Sequence, residues 1–217
     1  MEGPISKENT PVPKIEINPD YADFVPREFV ENPLLYFESN GVPIKSGEPK
    51  IDQNGIVRED PTTVRDFPVW TNSDRKEVRT VGKKVNVAKG KVSESGDPFY
   101  EYKILQLLAK MGLPAAKPVA KTKQNGTCLI VMERILGIRW SEKDQLDLKN
   151  RGYSDEDIAG LYANAEQMMA DLKVRFEEVG VVRGWKLQDM VFQIDIDNKK
   201  ITSIIPTDWE RTKIVQK

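Results

Sequence analysis

The sequence predicts an α+β fold: a small antiparallel sheet, then helices, then a closing hairpin. Three observations carry this. Short strand-like runs separated by turn residues fill Phe67 to Val92. Two segments, one starting at Asp97 and one at Ser154, repeat apolar residues at helical spacing. Met190 to Ile205 runs apolar or alternating around Asp197-Asn198-Lys199, a hairpin signature with Asp189 before it and Asp208 after it.

The 217 residues allow one domain or a small two-lobed one. With 33 basic and 34 acidic side chains, the balanced charge favours neither a membrane nor a nucleic acid as partner, and neither is expected. Cys128 is the single cysteine, which excludes an internal disulfide framework and fits a reducing compartment. No apolar run approaches the roughly 18 residues of a membrane span. Met1-Glu2-Gly3-Pro4 lacks the basic-then-apolar order of a signal peptide, so an intracellular, cytoplasmic chain is expected. Histidine is absent. Histidine metal sites, triads and general bases are thereby excluded, and any chemistry falls to Asp, Glu, Lys and Cys128.

Residues 1–65 hold nine of the 14 prolines. To Asp60 they carry 12 acidic and 6 basic side chains, about −6, against +5 for the remainder. This composition predicts an acidic, Pro-rich arm, partly extended or disordered, with a short helix or strand around Val30 to Ser39. The alternative is an arm packed across the basic remainder.

Next, Phe67-Pro68-Val69-Trp70, Glu77 to Val81 and Val85 to Lys89 read as a three-stranded meander, with Asn72-Ser73-Asp74 and Gly82-Lys83-Lys84 as its turns. Lys89 shares a strand face with Val85 and Val87, so it either snorkels or meets an anion; Lys91 is a competing choice. Pro98 and Gly112 punctuate a helix in which Glu101, Leu105 and Leu108 share one stripe. An inward carboxylate there needs a cation, unless Glu101 only complements the helix dipole.

Leu113 to Pro118 reads as a connector, and Thr127 to Met132 as a strand buried on both faces. A short helix from Ser141 to Arg151 precedes a long one capped at Ser154 and ended at Gly180. Its stripe is Ile158, Leu161, Tyr162, Ala165, Met168, Met169, Leu172 and Phe176, with the methionines as core filler.

A meander with a lysine, a helix with an inward glutamate, a strand with a polar break, a long helix, a loop, a hairpin and an aspartate: this order resembles the protein kinase-like superfamily. The phrases Leu129-Ile130-Val131-Met132-Glu133-Arg134-Ile135-Leu136-Gly137 and Thr207-Asp208-Trp209-Glu210-Arg211 look most like its aminoglycoside phosphotransferase and RIO-type small-kinase branch. The resemblance covers roughly residues 67–213. It implies a two-lobed domain over 66–217, with a small N-lobe sheet at 66–135 and a reduced, C-terminally truncated helical lobe at 136–217. It further implies Lys89 on nucleotide phosphates with Glu101 as its helix partner, Glu133 to Ile135 facing adenine, and Asp189 with Asp208 holding Mg²⁺.

The departures matter as much. Against His-Arg-Asp-Leu-Lys-Pro-Glu-Asn, this chain has Val182-Arg183-Gly184-Trp185-Lys186-Leu187-Gln188-Asp189. The catalytic aspartate falls on Gly184, or on Trp185 in the phosphotransferase register, and neither accepts a proton. Lys186 stands where protein kinases keep a lysine near the transferred phosphate. The turn Thr71 to Lys76 has no glycine to cradle phosphates, and only nine residues follow Asp208. The expectation is a pseudokinase-type protein able to hold ATP and Mg²⁺ and acting through a protein partner or as a homo-oligomer. The alternatives are an atypical phosphotransferase with Asp189 or an acid of the arm as base, assisted by Lys186, and a nucleotide-free interaction scaffold.

Overall fold

The computed structural model describes residues 14–45, 50–51, 57–58, 62–87, 96–209 and 211–215. Near the N-terminus come β1 (Ile15–Ile17), a 3₁₀ turn (Pro19–Phe24), α1 (Arg27–Glu31), α2 (Pro33–Asn40), β2 (Val42–Lys45), β3 (Lys50–Ile51), β4 (Val57–Arg58) and β5 (Thr62–Asp66). There follow β6 (Trp70–Thr71), β7 (Glu77–Val78), β8 (Thr80–Asn86), α3 (Tyr100–Lys110), β9 (Pro118–Gln124) and β10 (Thr127–Glu133). The remainder is α4 (Glu142–Asn150), α5 (Asp155–Glu178), β11 (Val181–Val182), a 3₁₀ turn (Leu187–Asp189), β12 (Met190–Asp195), β13 (Lys200–Pro206) and β14 (Lys213–Ile214).

An antiparallel sheet of order β1-β9-β10-β8-β5-β2 organises the first half. This corrects the expected meander. Gly82-Lys83-Lys84 is no turn but the middle of β8, and Phe67 to Trp70 lies outside the large sheet. Gly82 is inside a strand because two rings press on it: a Cβ there would stand 2.6 Å from Phe67 and 2.9 Å from Phe37. Glycine in a strand marks such close approach as often as it marks a turn. β9, of which only Pro118 falls in the expected connector, is a full strand between β1 and β10.

Residues 14–45 follow the alternative of a packed arm and not the extended one, with α2 standing where a short helix or strand is expected around Val30 to Ser39. Tyr21, Phe29, Tyr36 and Phe37 are buried with Phe67 and Trp70 in an aromatic core that covers one sheet face over Val119, Ala120, Leu129 and Val131. Phe67 and Trp70 stack at 5.8 Å, and the Tyr36 hydroxyl accepts from Trp70 Nε1 at 3.0 Å. Each such ring contributes about 1.5–3 kcal/mol by burial, enough to order a segment that composition alone marks as extended. Arg65 ties α2 to the sheet, donating to the carbonyls of Glu38 (2.7 Å) and Gly41 (3.1 Å) where the helix leaves its last carbonyls open. Residues 1–13 lie outside the described residues.

The second half matches its pattern closely. α5 starts with a capping box between Ser154 and Asp157, and α4 is capped by Ser141. Ile104, Leu105 and Leu108 of α3, Leu161, Leu172 and Phe176 of α5, the β12–β13 hairpin and Trp209 share one core. β14 returns to pair with β11, and Gly180, with φ +79°, lets the chain pass 2.2 Å from where a Cβ would meet the Val215 carbonyl. Among the described residues no helix is long and apolar enough to cross a membrane.

Candidate functional site

Strand alternation sends Gly82 to the aromatic side of β8 and Lys83 to the other, where Val64 of β5 and Ile130 of β10 are its paired neighbours. From that face the Lys83 ammonium meets the Glu101 carboxylate of α3 at 2.7 Å, with the two side chains only 12% and 9% exposed. Glu101 is thus turned inward, as its position on the apolar stripe of α3 predicts. Its cation, however, is Lys83. Lys89 and Lys91 lie outside the described residues.

The second oxygen of Glu101 receives the backbone N–H of Trp209 at 3.5 Å, the long limit of a hydrogen bond. This links the helix to the chain segment after the hairpin. There Asp208 adopts φ +61°, a left-handed conformation that Asp tolerates better than most residues. Trp209 is buried and stacks on Phe176 of α5 at 5.6 Å, which anchors the turn. Asp189 sits opposite: its carbonyl accepts both the N–H (2.8 Å) and the hydroxyl (2.9 Å) of Thr207. One residue separates Thr207 from Trp209, so the backbone of both aspartates is held by the same knot.

Arg183 is the member of the site that sequence reasoning left without a role. Its guanidinium donates to the Thr207 carbonyl (2.8 Å) and to the Gly184 carbonyl (3.1 Å) and lies 4.5 Å over the Trp209 ring. Burial lowers its pKa, while the charges of Asp189, Asp208 and Glu101 oppose that shift. These three carboxylates therefore act on one cation. Arg183 is thus within electrostatic range of Glu101, Asp189 and Asp208, and Lys83 joins them through its pair with Glu101.

The remaining positions are less central. Gly184 is exposed, and a Cβ there would meet nothing within 4 Å. Trp185 is half-buried, edge-on to Phe176 at 5.4 Å. Lys186 is exposed at the start of the 187–189 turn. The Glu133 side chain faces the aromatic side, where its carboxylate accepts the Tyr21 hydroxyl at 2.5 Å, and burial followed by that carboxylate pushes the Tyr21 pKa up. Ile135 is half-buried against the larger core. Cys128 is buried within β10, and burial raises its thiol pKa, which makes it a packing residue in place of a nucleophile.

Among the described residues no group of three or more metal-ligating side chains occurs. Two carboxylates nevertheless suit Mg²⁺, which takes one or two from protein and completes its shell with phosphate oxygens and water.

No protein-family model and no curated protein sequence matches the chain. Among solved structures, the bifunctional kinase-methyltransferase WbdD superposes with a TM-score of 0.46 at 12% identity, over 79% of this chain and 34% of that one. This chain thus spans about a third of the length of that protein.

Proposed function

We propose that the chain is a kinase-like, two-lobed protein of the pseudokinase type, whose cleft holds ATP with Mg²⁺ and which acts through a protein partner. The buried Lys83–Glu101 pair carries this reading. A strand lysine held by a helix glutamate, with an aspartate turn bonded to the same glutamate, is the arrangement the family resemblance implies, with Lys83 in the role expected of Lys89. Lys83 would meet nucleotide phosphates. Asp189 and Asp208 would hold Mg²⁺, which supplies charge neutralisation between phosphates, and the backbone of Glu133 to Ile135 would face adenine.

No acid stands at Gly184 or Trp185 to take a proton from an acceptor, so phosphoryl transfer is not the expected output. Transfer through Asp189 as base is the enzymatic alternative, since positioning and electrostatics supply most of such catalysis. A nucleotide-free scaffold is favoured by one observation: Arg183 already balances part of the charge on the three carboxylates.

Thermal unfolding with and without Mg-ATP tests the reading. Saturating nucleotide should stabilise the chain by RT ln(1 + [L]/Kd), about 2.7 kcal/mol at a hundredfold excess over Kd. Lys83→Met and Asp208→Asn should each abolish the shift. The second keeps a residue that tolerates the left-handed backbone. No shift at millimolar nucleotide leaves the scaffold. If nucleotide binds, Gly184→Asp adds the missing carboxylate where there is room for it, and phosphate transfer gained only in that variant would mark the absent base as the cause of inactivity.

A further inference from the structure

A divalent ion is drawn to a carboxylate pair by charge, so a cation fixed beside the pair works against it. Arg183 is such a cation. Its guanidinium donates at 2.8 Å to the Thr207 carbonyl, in the peptide that leads into Asp208, and Thr207 in turn gives its N–H and hydroxyl to the Asp189 carbonyl at 2.8 and 2.9 Å. One residue thus ties the guanidinium to the backbone of both aspartates.

The guanidinium is also held in place. Its Nε–H goes to the Gly184 carbonyl at 3.1 Å, and its planar head lies 4.5 Å from the Trp209 ring and 5.5 Å from the Trp185 ring. The acceptors it has are neutral carbonyls, and its buried Nη1 has no hydrogen-bond partner among the described residues, so the charge is spent on no single carboxylate. It acts at range instead. Burial works to lower the Arg183 pKa, and Asp189, Asp208 and Glu101 oppose that shift. The interaction is mutual: carboxylates that stabilise a guanidinium offer less negative potential to an incoming ion. Lys83 and Arg183 set against Glu101, Asp189 and Asp208 leave one negative charge, whereas without Arg183 a divalent ion would meet two.

We propose that Arg183 is a built-in counter-cation that keeps the Asp189 and Asp208 pair from taking a free divalent ion. This rests on the reading of those two aspartates as the metal pair. The ion which that reading calls for then arrives with nucleotide phosphates, whose oxygens supply the ligands that two carboxylates lack. In this role Arg183 touches neither metal nor nucleotide; it sets the order in which they bind.

Mn²⁺ binding to the full chain without nucleotide, read at low ionic strength from the loss of the free-ion paramagnetic resonance signal, tests the proposal. The parent should bind weakly. Arg183→Gln should bind about tenfold to a hundredfold more tightly, the order of magnitude of one charge acting across several ångströms at an effective dielectric constant of about 20. Arg183→Lys, which keeps the charge, should stay near the parent, and Asp208→Asn added to Arg183→Gln should remove the gain. An arginine with a merely structural role would not tighten metal binding on its removal. If Arg183→Gln unfolds without metal, Mn²⁺ should restore its folding by linkage and leave the urea midpoint of the parent unchanged. Equal affinity in the parent and Arg183→Gln, an equal gain in Arg183→Lys, a gain that survives Asp208→Asn, or an unfolded variant that Mn²⁺ does not restore overturns the proposal. Because no nucleotide is present, these outcomes are separate from the Mg-ATP thermal shift, whose absence in every variant would remove the nucleotide reading instead.

Discussion

Lys83 and Lys84 are neighbours in one strand, each paired with a glutamate, and they do opposite things. Lys83 meets Glu101 under cover of α3, with both side chains near nine-tenths buried. Lys84 meets Glu38 on the other sheet face, where the side chains are 28% and 43% exposed, and its ammonium also sits 5.3 Å over the Phe37 ring. Gly82 shares the face of Lys84 and lies under Phe37 and Phe67. One strand thus carries a desolvated charge pair on one side and aromatic packing with a wet ion pair on the other. The environment, and not the residue type, decides what each lysine does.

The largest effect is expected on the buried side. Lys83→Met leaves Glu101 enclosed without its cation, and breaking a buried pair from one side costs about 3–5 kcal/mol. Urea unfolding reads this as a lower midpoint at unchanged slope. Replacing both partners, with Lys83→Met and Glu101→Leu together, should recover most of the loss, since the paired charges were desolvated at a cost that apolar side chains do not incur. A single-variant loss below about 1 kcal/mol would mean that water reaches the pair.

A smaller effect is expected from Gly82→Ala. The added methyl group would stand 2.6 Å from Phe67 and 2.9 Å from Phe37, so both rings must move. Overpacking of this kind costs about 1–3 kcal/mol. Phe67→Leu in the same chain should relieve part of it, so the double variant should be more stable than the sum of the single losses allows. Additivity would show that the rings are not what excludes a side chain at position 82.

That glycine also explains what was and was not legible in the sequence. α3, α4, α5, β10 and the β12–β13 hairpin follow directly from apolar period and capping residues, because their cores lie along their own stripes. The Gly82-Lys83-Lys84 triplet has the composition of a turn, and only the rings of Phe37 and Phe67, far away in sequence, make it a strand. With the turn reading, the face shared by Val81, Lys83 and Val85 is lost, and the inward lysine is sought further on at Lys89. The alternation at 81, 83 and 85 was the available signal. Glu101, Asp189 and Asp208 were legible because each sits at the end or on the stripe of a locally determined element. The role of Arg183 was not, since it depends on Trp209 and Thr207 arriving from beyond the hairpin. The packing of residues 14–45 was legible only as an alternative, for a similar reason: Tyr21, Phe29, Tyr36 and Phe37 bury their rings against partners that the local, proline-punctuated sequence does not reveal.

The smallest effect, Lys84→Met, sharpens the contrast most. An exposed ion pair contributes about 0–1 kcal/mol, and the methionine keeps much of the aliphatic stem that packs near Phe37. The loss should therefore be slight at low ionic strength. In about 1 M salt the Debye length falls to roughly 3 Å, the Lys84–Glu38 attraction is screened, and variant and parent should unfold at the same urea midpoint. Lys83→Met should keep its full penalty under the same conditions, because ions do not enter between α3 and β8. A salt-insensitive Lys84→Met would place the value of that lysine in its contact with the Phe37 ring in place of its charge pair. A salt-sensitive Lys83→Met would mean that the α3-covered face is as wet as the other, and the buried pair on which the nucleotide reading stands would lose its distinction.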